Sequence, residues 1–116
     1  MTDSELLEHV EKAFRQIVDE IEARGGLLEL DKKPDLRWAG TARLPAGKLL
    51  ISLRKTGKQA APESKKLVAE AIADLTLEGR FIARVLFYAE SCEIEFPGGG
   101  HKPLDHSSIV KMLSSL

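Results

Sequence analysis

Two groups of side chains in this 116-residue chain have the types needed for chemistry. The first is Cys92, His101, Asp105 and His106, whose thiol, imidazoles and carboxylate suit metal ligation. Their spacing argues against it. An H-x4-H pair across a helix start matches no standard ligand pattern, and Cys92 falls on the inward phase of a strand while the histidines fall in exposed positions. The second group is Arg54, Lys55, Lys58, Lys65 and Lys66, five cations that share their stretch with a single carboxylate, Glu63. Phosphate is the ligand such a cluster suits. Lysines placed in the first turn of a helix oppose its dipole, so they add nothing to its stability unless an anion sits between them. A solvated, solubilising surface is the competing reading of the same residues.

Nucleophilic and acid-base catalysis need a nucleophile, a base and an orienting group, and no G-x-S-x-G, C-x-x-C or H-E-x-x-H pattern occurs. Gly98-Gly99-Gly100 follows a strand, but no Lys-Ser/Thr pair opens the next helix, so these glycines read as a connection and not as a phosphate loop. His9 stands among helix carboxylates with no evident partner. The residues therefore point away from an enzyme, and no cofactor or metal is expected.

The elements that must position these groups follow from periodicity. Leu6, Leu7, Val10, Phe14, Ile17, Val18 and Ile21 recur every three to four residues and predict a first helix, capped by Thr2 or Ser4 and stopped at Gly25-Gly26. Short strands are predicted at Leu27 to Leu30, Leu36 to Leu44 and Lys48 to Arg54, separated by turns containing Pro34 and Pro45. Pro62 suits a first helical position, and a second helix is expected from there to about Glu78, with Leu67, Val68, Ala71, Ile72 and Leu75 as its core stripe. Arg80 to Phe96, the most apolar run, reads as a β-hairpin. Phe81, Ala83, Val85, Phe87 and Ala89 are expected inward on its first strand, and Cys92, Ile94 and Phe96 on its second. Asp105 caps a last helix with Ile109, Val110, Met112, Leu113 and Leu116 inward.

The expected fold is thus one α+β domain over residues 1–116, in the order α-β-β-β-α-β-β-α. A mainly antiparallel five-stranded sheet carries helices packed on one face. Its other face is left for solvent, a partner or a second copy of the chain. Trp38, Leu50, Ile82, Leu86 and Tyr88 are the residues expected to supply apolar area there.

Composition fits this picture. Hydrophobic residues make up 43% and charged residues 30% of the chain, as in globular domains, and no run is long enough to span a bilayer. The acidic, amphipathic N-terminus is unlike a secretory signal, and one cysteine cannot close an internal disulfide, so the cytoplasm is the expected location. The overall charge of −1 conceals a division into a segment of −5 (residues 1–30), one of +7 (residues 31–66) and one of −3 (residues 67–116).

The stretch GKQAAPESKKLVAEAIADL, residues 57–75, resembles the last helix of double-stranded-RNA-binding domains, which also follows three strands and opens with paired lysines. Ala69 stands where that family usually has a further lysine, and its RNA-contacting loop between the first strands has no counterpart here. The expected element order is similar to that of the type III secretion chaperones, a resemblance that implies a small dimer binding an unfolded stretch of another protein. The leading functional expectation is accordingly a non-catalytic protein-binding module (an adaptor, chaperone or inhibitor of another protein) acting as a homodimer. The alternative is a nucleic-acid-binding domain that contacts phosphates through Arg54, Lys55, Lys58, Lys65 and Lys66.

Overall fold

The structure, a computed structural model, describes residues 2–56 and 69–116. It is an α+β fold in which a helix (α1, Asp3–Ala23) precedes a continuous run of strands and a short helix (α2, His106–Ser114) follows it. The strands are β1 (Leu28–Lys33), β2 (Arg37–Leu44), β3 (Gly47–Lys55), β4 (Ala71–Leu77), β5 (Arg80–Phe87), β6 (Cys92–Glu95) and β7 (His101–Pro103). They form one seven-stranded antiparallel sheet in sequence order, a meander with no crossover.

The first helix forms as its periodicity predicts. The Thr2 hydroxyl accepts from the Glu5 N–H at 3.2 Å. Asp3 and Glu5 sit at the positive end of the dipole. Gly25, at φ 83°, takes the left-handed conformation that ends the helix. At α2, Asp105 and Ser108 exchange bonds: the Ser108 N–H donates to the Asp105 carboxylate at 2.8 Å, and the Asp105 N–H donates to the Ser108 hydroxyl at 3.0 Å. This reciprocal cap keeps the buried Ser108 satisfied.

Two elements differ from expectation. The segment Ala71–Leu77, assigned above to the second helix, is the strand β4. Ala71, Ala73, Leu75 and Leu77 are buried while Ile72, Asp74 and Thr76 between them are partly exposed, a period of two that a helix cannot produce. The earlier part of that expected helix, residues 57–68, lies outside the described residues. The strand exists because β3 and β5 hydrogen-bond to it on either side, and because Glu78-Gly79, at φ 49° and 79°, makes the two-residue turn that joins it to β5. The second difference is β7. His101–Pro103 pairs with β6 directly after the glycine turn, so a stretch expected to be irregular adds a short edge strand. The sheet consequently has seven strands rather than five. The order that resembled type III secretion chaperones is not the order found, and residues 71–75 are not part of a helix of the kind seen in double-stranded-RNA-binding domains.

Alternation sorts each strand onto two faces. Trp38, Ala42, Leu49, Ile51, Leu53, Leu75, Val85, Phe87 and Ile94 join Leu6, Val10, Phe14, Ile17 and Ile21 of α1 and Ile109, Met112 and Leu113 of α2 in a single core. Phe14 meets Trp38 edge to face, with ring centroids 5.3 Å apart. The opposite face of the sheet, which carries neither of the described helices, is referred to below as the open face.

Candidate functional site

The registers of adjacent strands place the outward residues of the open face in rows that run across the sheet. In the first row Leu50 of β3 stands beside Thr76 of β4, which stands beside Phe81 of β5. In the second Ser52, Asp74, Arg84, Glu95 and His101 follow one another from β3 to β7. In the third Arg54, Ile72, Leu86, Glu93 and Pro103 do the same. Arg37, one residue before the Trp38–Leu53 pair, extends this row onto β2 beside Arg54.

Phe81 reaches this face through a bulge. Leu75 pairs with Ala83 but Thr76 pairs with Phe81, so Ile82 is an extra residue on β5. The bulge reverses the phase of everything before it. Phe81, expected inward with Ala83, is 37% exposed on the open face instead, in the row of Leu50, which is 41% exposed, with Thr76 between them. Ile82, expected outward, is partly buried against the core. The sequence carries no mark of this insertion, because a bulge conserves residue types and changes only their count.

The remaining residues expected on this face are distributed as follows. Leu50 and Leu86 are on it, but Leu86 is only 7% exposed, between Ile72 and Glu93. Tyr88, just beyond β5, is half-buried; burial first, and then the charges of Glu93 and Glu95, push its phenol above the ordinary value. Trp38 is on the opposite face, 5% exposed, with Lys32 Nζ 4.6 Å from its ring centroid. It therefore contributes to the core and not to the open face, since its pairing with Leu53 fixes its direction.

Charge crosses the open face as a connected line. Asp74 Oδ1 accepts from Arg84 Nε at 2.6 Å, and its Oδ2 accepts from Arg54 Nη1 at 2.8 Å. Burial alone would raise the Asp74 carboxyl, but the two guanidinium hydrogen bonds and charges outweigh it and hold the group below its ordinary value. Further along, His101 lies 3.4 Å from both Glu93 and Glu95 through its two ring nitrogens. The far end of the face is basic. Lys33, Arg37 and Arg54 line a shallow hollow of about 660 Å³ with Asp35 and Ser52, and its lining also includes Lys55 and Trp38 from the opposite face.

Of the five cations expected to hold phosphate, Arg54 is bound to Asp74, and Lys55 Nζ is 3.2 Å from Asp3 at the start of α1. Lys58, Lys65 and Lys66 lie outside the described residues. The structure does not gather the other chemical group either. Asp105 is occupied as the α2 cap, His101 faces the β6 glutamates, and Cys92 is half-buried beside the core. Burial, and to a lesser degree Glu93, pushes the Cys92 thiol up to about 12, so it is protonated and unreactive at neutral pH. Among the described residues no cluster of three or more His, Cys, Asp or Glu side chains is placed to hold a metal ion, and no helix is long and apolar enough to cross a membrane.

Comparison with protein-family models, with curated proteins and with solved structures finds no match to this chain.

Proposed function

We propose that the chain is a non-catalytic protein-binding module, an adaptor, chaperone or inhibitor of another protein, that acts as a homodimer and uses the open face of its sheet. The observation that carries this reading is the pair of exposed apolar side chains Leu50 and Phe81, in one row across the central strands of a sheet whose other face carries the core. Phe81 is brought there by a bulge, and bulges re-aim side chains at sites where a sheet meets something else. Two rows along, beyond the charged Asp74 and Arg84, the partly exposed Ile72 adds a further apolar side chain, so the face combines apolar and charged groups as interfaces do. The alternative, phosphate binding by the basic segment, is less well supported, because an incoming phosphate has to displace Asp74 from Arg54 and Asp3 from Lys55.

Light scattering behind a sizing column tests the reading. The unmodified chain is expected to elute as a dimer, and Leu50→Glu with Phe81→Glu is expected to elute as a monomer with an unchanged circular dichroism spectrum. A monomer that co-elutes with duplex RNA or DNA at low salt and releases it at high salt would support phosphate binding instead.

A further inference from the structure

The open face is self-complementary about one particular two-fold axis, and we infer that two copies of the chain pair face to face with that axis running along β4. This rests on the reading that the open face binds protein, and it names the occupant and its orientation.

The argument starts from the strand order. In a meander of seven strands β4 is central, so β3 and β5 lie at equal distances on either side of it, and so do β2 and β6. A two-fold axis parallel to β4 exchanges β3 with β5 of the second copy and β2 with β6, while each row keeps its level along the strands. Two of the pairs so brought together match. Leu50 on β3 meets Phe81 on β5 of the second copy, because the two share the row through Thr76. These are the two exposed large apolar side chains of this face. Arg37 on β2 meets Glu93 on β6 of the second copy, because both belong to the row through Ile72. Lys33, paired with Arg37 across β1 and β2, and Arg54 make this side of the face a cationic hollow. Glu93 and Glu95 on the second copy carry the complementary sign.

Other arrangements lose these matches. An axis across the strands places the basic half against the basic half and the acidic half against the acidic half, a like-charge juxtaposition that interfaces avoid. At the axis itself Asp74 approaches its own copy, but each Asp74 is already neutralised by Arg54 and Arg84 and presents no unpaired negative charge. The area is sufficient as well. The strands are three to nine residues long, and at a rise of about 3.3 Å per residue and a spacing of about 4.8 Å they give a face of roughly 700 Å², close to the roughly 800 Å² per partner of a standard stable interface.

Reciprocal charge reversal tests this axis. One full-length variant carries Lys33→Glu and Arg37→Glu, and the other Glu93→Lys and Glu95→Lys. All four positions are on the surface of outer strands and leave the core untouched. Alone, each variant sets like charges against each other at both symmetric contacts and is expected to dissociate, with Kd raised about a hundredfold or more. Mixed in equal amounts, the two restore opposite charges at both contacts, so native mass spectrometry is expected to find the heterodimer. Variants that remain dimeric alone, or that stay monomeric when mixed, overturn the proposed axis and leave protein binding by the module standing. An unmodified chain that is monomeric up to high micromolar concentration overturns the homodimer together with its axis.

Discussion

Asp74 is the residue on which the charged half of the open face depends. It bridges Arg54 and Arg84 by accepting a hydrogen bond from each, and its carboxyl is kept below the ordinary value in doing so. A carboxylate with a lowered folded pKa contributes stability that is fully present above its unfolded value of about 4 and is lost as pH falls through the folded value. Acid titration of stability by urea denaturation is therefore expected to show a loss below about pH 4 that is smaller in Asp74→Asn than in the unmodified chain. Equal acid dependence in the two proteins would mean that the Arg54–Asp74–Arg84 line contributes nothing. Cys92 makes the opposite case, a group kept neutral by its surroundings. With its thiol raised to about 12, alkylation at pH 8 is expected to be slower in the folded protein than in urea by at least about tenfold, as mass spectrometry of the modified chain will show. In the core, Phe14→Ala removes a buried ring and its edge-to-face contact with Trp38, at an expected cost of about 3 to 5 kcal/mol in urea denaturation.

The elements differ in how plainly their residues announce them. α1 was legible because its apolar stripe, its Thr2 cap and its glycine stop all agree, and α2 was legible from Asp105 and the apolar positions that follow. The strands β2 and β3 were legible because each has polar residues outward and a proline turn between them. β4 was not, for a physical reason. Ala71, Ala73 and Leu75 favour helix by propensity and follow a stretch with helix-start residues, so local preference and tertiary pairing disagree, and the hydrogen bonds from β3 and β5 decide. The alternation Ala-Ile-Ala-Asp-Leu-Thr-Leu was the available signal. Amide hydrogen exchange is expected to find residues 71–77 among the best protected in the chain, since this strand is paired on both sides and buried on one face. Rapid exchange there would contradict the sheet order. At the other end of the chain, Asp105→Ala breaks the reciprocal cap of α2 and is expected to cost about 1 kcal/mol in urea denaturation.

For the molecule as a whole, the division of charge along the sequence becomes a division across space. The basic segment supplies β2 and β3 and much of β1, while the later acidic segment supplies β6, and the meander sets them on opposite sides of β4. Sequence reading located the segments and two of the open-face apolar residues, Leu50 and Leu86. It misplaced Trp38 and missed Phe81, because which way a strand residue points depends on register, and one bulge shifts that register without leaving a mark in the sequence. The central claim is that Leu50 and Phe81 form a protein interface. The most direct test is the mass in solution of the unmodified chain and of Leu50→Glu with Phe81→Glu, measured side by side by light scattering. The account predicts twice the chain mass for the first and the chain mass for the second, both folded; equal masses for the two proteins would contradict it.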